Sequence, residues 1–162
     1  MKGLSFNCRV LANLDKKLAL KRLCLVEILD FLMLQETLGD GPLVLQTLKH
    51  FFPNWEFLFL DARGRSGGLA LCFNKSSVRI SNVWGGQGFL GEDIISNSPH
   101  VTLRIYNIYG PYHHREPFWE SILQADFMQS ENLIIGGDLN FFLGFAKSWG
   151  AQGSIRCPNG LF

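Results

Sequence analysis

The segment Leu133-Ile134-Ile135-Gly136-Gly137-Asp138-Leu139-Asn140 decides how this chain is read. Three apolar residues, two of them β-branched, make a short buried strand, and the glycine pair hands it on to a carboxylate and an amide. The same arrangement occurs three times upstream. Leu4-Ser5-Phe6 leads to Asn7, Phe31-Leu32-Met33-Leu34 leads to Gln35-Glu36-Thr37, and the apolar stretch from Val101 leads through Asn107 to Tyr109. Buried strands that end in polar side chains are how a rigid fold assembles a site. Any one of the four would pass as an ordinary turn, so the weight lies in the ordered set.

The segments between these strand ends set the fold class. Asp15 stands as an N-cap ahead of a helix over Lys16 to Val26, with Leu18, Ala19, Leu23 and Val26 on one face. Asp40-Gly41-Pro42 opens a second helix that runs to about Phe51. Glu56 to Leu60, Leu69 to Phe73, Val78 to Val83, Leu90 to Ile95 and Val101 to Tyr109 have strand length and composition, punctuated by Gly, Asn and Ser. A third helix, from about Glu116 to Phe127, aligns Phe118, Ile122 and Ala125, and the stretch from Gly144 to Phe162 is glycine-rich and weakly patterned. Helices alternate with strands at both ends and hairpins fill the middle. The expectation is an α/β fold of two packed mixed β-sheets flanked by helices, a four-layer αββα sandwich.

Composition narrows the classes. A length of 162 residues suits a single domain over 1–162. With 47% hydrophobic and 18% charged residues the chain is not disordered, and it suits strands buried on both faces. The formal charge of +1 gives no global electrostatic argument for nucleic acid, and Lys16, Lys17, Lys21 and Arg22 read as one solvated helix face. Cys8, Cys24, Cys72 and Cys157 are too widely spaced for a zinc knuckle. Reduced thiols in a nuclear or cytoplasmic protein are expected, with no secretory segment and no apolar run of the ~18 residues that a membrane span needs.

The strand-end motifs carry a resemblance. Leu4-Ser5-Phe6-Asn7-Cys8-Arg9 resembles the opening motif of the endonuclease/exonuclease/phosphatase superfamily, and Leu34-Gln35-Glu36-Thr37 resembles its metal-ligand motif. Asn107-Ile108-Tyr109-Gly110-Pro111 is similar to its tyrosine motif, Gly136-Gly137-Asp138-Leu139-Asn140-Phe141 to its Asp-x-Asn motif, and Arg65-Ser66-Gly67-Gly68 to the glycine pair between the second and third of these. Asn7-Cys8-Arg9 and Trp149-Gly150 bring the wording nearest to the endonuclease domain of plant LINE-type (non-LTR) retrotransposons. The resemblance implies the deoxyribonuclease I-like form of the αββα sandwich and phosphodiester hydrolysis, with DNA as the partner and Mg²⁺, or Mn²⁺ in its place, as the cofactor. No protein partner is implied.

By the same resemblance Glu36 holds the metal with Asn7 beside it, and Asp138 orients or deprotonates the attacking water. Tyr109 and Asn140 donate to the phosphate as charge builds, and His113 and His114 lie where a phosphate backbone could reach them. Asn107 is a supporting residue. Ser66 to Gly68 either bend the backbone near the site or form a plain hairpin turn. Three departures from the family pattern stand out: Phe6 in place of Trp, Val10 in place of Gly, and Glu92 where an apolar strand residue is expected. The family's second metal-ligand Asp and terminal Asp-His pair are not found before Phe162. The chain is therefore expected to be incomplete at its C-terminus, and inactive or impaired. An apurinic-site endonuclease, an RNA deadenylase, an inositol-phosphate phosphatase and a non-catalytic binding remnant are the alternative readings.

Overall fold

A computed structural model describes residues 1–9, 14–38, 41–63 and 66–140. Val10 and the Gly144–Phe162 stretch, Trp149 and Cys157 included, lie outside the described residues. The elements run β1 (Gly3–Asn7), α1 (Leu14–Glu27), β2 (Phe31–Gln35), α2 (Gly41–Phe51), β3 (Trp55–Arg63), β4 (Ser66–Asn74), β5 (Val78–Gly86), β6 (Phe89–Ser96), β7 (Thr102–Tyr109), α3 (Arg115–Leu123) and β8 (Leu133–Asp138).

The strands form two four-stranded mixed sheets, ordered β1-β2-β4-β3 and β5-β6-β7-β8. Each has one parallel pair, β1 with β2 and β7 with β8, and the remaining pairings are antiparallel. The sheets pack face to face, with β1 against β8 and β2 against β7. Side-chain alternation sorts the layers. Phe31 and Met33 of β2 point into the sandwich with Leu69, Leu71, Phe73, Leu90, Ile94 and Ile105. Leu32 and Leu34 point outward, under Leu20 and Cys24 of α1 and Val44 and Leu48 of α2. On the far side Tyr106 and Ile108 of β7 meet Ile122 of α3. This is the expected αββα arrangement. All five residues of β2 are buried, as its unbroken apolar run requires.

Three local expectations give way. Helix α1 begins at Leu14, so Asp15 lies in its first turn. It buries Leu20 and Cys24, while Leu18, Leu23 and Val26 stand exposed. Leucines are spread around this helix, so periodicity does not single out a face, and contact with the sheet selects one. In the basic run Lys16 and Arg22 are exposed and Lys17 and Lys21 half-buried, and Lys16 Nζ also donates to the carbonyls of Cys8 and Arg9 at 3.2 and 3.1 Å. The third helix stops at Leu123, and a 3₁₀ turn follows at Asp126–Gln129. The helix still buries Ile122, with Phe118 and Ala125 packed beside it.

Glu92 and Asp93 have opposite fates on β6. Asp93 takes a two-pronged contact from Arg104, at 2.8 and 3.0 Å, and the guanidinium lies 4.7 Å over the Trp84 ring. That hydrogen bonding holds the Asp93 carboxyl below its usual range. Glu92 is fully buried, and among the described residues neither carboxyl oxygen has a hydrogen-bond partner. Burial, reinforced by the charges of Glu56 and Asp93, pushes it up to about 9. Cys8, Cys24 and Cys72 are free and buried, and burial raises the first two to about 12 and about 11.

Candidate active site

Both parallel pairs end at the same edge of the sandwich. In β1–β2 the register opposes Asn7 to Gln35, one residue before Glu36, and in β7–β8 it opposes Tyr109 to Asp138. Four polar side chains that are distant in sequence are thereby delivered to one place by packed strands. The Asn7 amide nitrogen donates to Glu36 Oε1 at 2.9 Å and to Asp138 Oδ2 at 2.7 Å. The Tyr109 hydroxyl donates to the same Glu36 oxygen at 3.2 Å. Asn7 Oδ1 accepts the Arg9 N–H at 3.0 Å, so its amide group is fixed from both ends.

Local backbone chemistry holds these groups. Glu36 follows its strand in the left-handed region, φ 52°, a conformation that packing must impose on a non-glycine residue. The loop after it is clamped by β4, where the carbonyls of Gly68 and Gly67 accept the N–H groups of Thr37 and Leu38 at 3.3 and 3.4 Å. Gly68 has φ 82°, and a Cβ there would strike the Thr37 hydroxyl. The glycine pair is therefore more than a hairpin turn: it lets β4 bend against the loop that carries Glu36. Asp138 Oδ1 accepts the N–H of Asn140 at 3.1 Å, and the Asn140 side chain donates to the carbonyl of Gly110. Asn140 ties the loop after β8 to the loop after β7 in this way.

Beneath the site lies a buried amide pair. Gln35 Nε2 donates to Asn107 Oδ1 at 2.6 Å, and Asn107 Nδ2 donates to the carbonyls of Leu34 and Ala70, each at 3.0 Å. Asn107 belongs to one sheet and all three of its partners belong to the other. A side-chain bridge between sheets thus fixes the spacing directly behind Glu36. The sequence pattern marked Asn107 as supportive but gave no weight to Gln35. Its signal was a polar residue closing a run that is otherwise wholly apolar.

Tyr112 also went unnoticed. Its hydroxyl is 3.5 Å from that of Tyr109, and the two rings meet edge to face at 6.3 Å and 79°. Burial, the hydrogen bond with Tyr112 and the nearby Glu36 charge all raise the Tyr109 hydroxyl, which keeps it a donor at neutral pH. His113 and His114 are exposed at the entry to α3. Among the described residues no hydrogen bond joins either to the carboxylate cluster. Glu36, Asn7, Tyr109, Asp138 and Asn140 come together, and the two histidines stand apart.

The sequence matches the model of the Endonuclease/Exonuclease/phosphatase family over residues 4–155. The chain belongs to this family. No curated protein matches it. Among solved structures it is similar to TDP2 of D. rerio complexed with single strand DNA product, at 20% identity and TM-score 0.67, covering 86% of this chain and 60% of that one. It is also similar to the human Nocturnin catalytic domain with bound sulfate anion, at 15% identity and TM-score 0.59, covering 85% and 62%. An AP endonuclease from Archaeoglobus fulgidus gives 15% identity and TM-score 0.61, covering 85% and 56%. At these identities the likeness is one of fold, and the chain spans about three fifths of the length of these proteins. Members of the family generally act as metal-dependent phosphodiesterases, nucleases or phosphatases.

Proposed function

We propose that this chain carries the phosphate-binding half-site of a Mg²⁺-dependent phosphodiesterase that acts on DNA, of the retrotransposon-endonuclease kind. The observation that supports it most is the bridging of Glu36 and Asp138 by the single amide of Asn7. Two carboxylates held within reach of one nitrogen repel each other unless something positive or proton-donating lies between them. The possible ligands that the cluster offers are oxygens of carboxylates and phenol, with no thiolate or imidazole among its described groups, while the Asn7 amide turns its NH2 to the carboxylates. Such a set fits a hard divalent ion, which is commonly held by one or two carboxylates and completed by waters and substrate phosphate. Glu36 would hold it, with Asn7 alongside. A bound Mg²⁺ would supply Lewis-acid stabilisation of a phosphoryl oxygen.

The chain's own residues perform the remaining work. Asn140 N–H and the Asn7 amide aim the two Asp138 oxygens, leaving that carboxylate able to accept a proton from a water. Tyr109, kept protonated, donates toward the Glu36 side of the site, where negative charge would build on a phosphate. The Asn140 amide donates to the Gly110 carbonyl, and its second proton would donate to the phosphate. His113 and His114 would meet the flanking phosphates of a longer strand. Asn7-Cys8-Arg9 and Trp149-Gly150 favour the retrotransposon branch over the other activities of the family.

The test is nicking of supercoiled plasmid in Mg²⁺ by the chain and by Glu36→Ala, with Mn²⁺ binding followed by electron paramagnetic resonance. Nicking that Glu36→Ala abolishes supports the proposal. Metal binding lost in Glu36→Ala, with no nicking by either protein, assigns a binding module instead. Equal metal binding by both proteins overturns the site.

A further inference from the structure

We propose that Tyr112 is a stacking platform for an unpaired nucleobase beside the scissile phosphate. On this account the site engages a single-stranded or locally opened nucleic acid. The inference rests on the phosphodiesterase reading for the position of the phosphate. The ring itself is placed by observations independent of that reading. Among the described residues Tyr112 is the most exposed Phe, Tyr or Trp, at 54%. The other large exposed apolar groups are mostly aliphatic, and several of them lie on α1.

Tyr112 is exposed without being loose. Its ring meets Tyr109 edge to face, its hydroxyl reaches that of Tyr109, and its carbonyl accepts from Arg115 Nε at 3.1 Å. An aromatic ring held in this way has already lost its rotamer freedom, so stacking on it costs little further entropy. One edge-to-face contact and 54% exposure leave ring surface open to solvent. That surface adjoins the hydroxyl that bonds Glu36. His113 and His114 stand exposed beside it, and Arg115 is half-buried at the start of α3. Donors around an open aromatic face match a nucleotide, with its base on the ring and phosphates on the rim. A base paired inside a duplex offers no free face, so such a ring selects an unpaired base. A phosphorylated small molecule without a base would gain nothing from it.

The experiment measures binding in Ca²⁺, without turnover, of a labelled single-stranded oligonucleotide containing 2-aminopurine and of the corresponding duplex. The proteins are the full chain, Tyr112→Ala and Tyr112→Phe. Tyr112→Ala should weaken single-strand binding about tenfold and remove the aminopurine fluorescence change. Tyr112→Phe, which keeps the ring, should retain both. Wild-type affinity in Tyr112→Ala overturns the proposal, as does absence of single-strand binding by the wild type. Equal loss in both variants also overturns it, because the hydroxyl would then be the active group. Mn²⁺ binding is read on Ca²⁺-free samples of the same proteins. Its absence from the wild type sinks the phosphodiesterase reading, while the Tyr112 comparison still decides the stacking.

Discussion

Asn7 and Asp138 are 131 positions apart in sequence and 2.7 Å apart in space, the amide of one donating to the carboxylate of the other. Asn7 closes an edge strand of one sheet and Asp138 an edge strand of the other. Their bond spans the mouth of the sandwich and also reaches Glu36. Asn7→Ala leaves two carboxylates facing each other with nothing between them. It should lower stability by about 1–3 kcal/mol in urea titration. Saturating divalent metal should restore part of the loss by neutralising the pair.

Gln35 and Asn107 form the bridge behind the site. Removing either should cost about 1–3 kcal/mol, because loss of Gln35 takes the side-chain donor from the buried Asn107 Oδ1, and loss of Asn107 takes it from the carbonyls of Leu34 and Ala70. The double variant Gln35→Met/Asn107→Leu should cost clearly less than the sum of the single ones. A double-mutant cycle by chemical denaturation measures this, and strict additivity would show that the two amides act independently.

Glu92 should give the chain an unusual alkaline weakness. Its folded value of about 9 lies above the ordinary 4.5, so the folded state keeps a proton that the unfolded chain releases. The resulting stability is complete below pH 4.5 and declines as pH climbs toward 9. Glu92→Gln cannot titrate and should flatten that component, so the gap between the two proteins should change steadily from pH 5 to pH 9. At pH 8 the variant should be the more stable by ~1–3 kcal/mol. Parallel curves across the range would refute the assignment.

Gly137 is a backbone requirement of the strand that carries Asp138. It sits at φ 138°, and a Cβ would collide with the backbone of Ile108 on β7. Gly137→Ala must push β8 away from β7 or break the register that opposes Asp138 to Tyr109. A loss of at least ~1–3 kcal/mol is expected in thermal or urea unfolding, together with weaker metal binding through displacement of Asp138. A variant as stable as the wild type would show that the strand tolerates the shift.

Several of these features are legible in the residues alone. The apolar runs at Phe31–Leu34 and Leu133–Ile135 read as strands that lead to Glu36 and Asp138, and both are strands, but only the first is wholly buried, while the second is half-buried with Ile135 exposed. The order of strands and helices leads from there to two sheets with helices outside, and the four motifs lead to the family. Helix faces are less legible. On α1 the leucines point in several directions, and only contact with the sheet picks Leu20 and Cys24. On β8 the glycine pair reads as the end of the strand, yet the ladder continues through it to Asp138.

The sequence by itself determined which side chains stand at strand ends, because alternation and burial are local properties of the chain. Tertiary structure alone decided that those ends coincide. The pairing of β1 with β2 and β7 with β8, and the packing of one sheet on the other, place Asn7 between Glu36 and Asp138. Tertiary structure likewise left the Glu92 carboxyl without a partner among the described residues while giving Asp93 its arginine. Adjacent residues of a strand face opposite sides, and only the packed sheets define what each side contains.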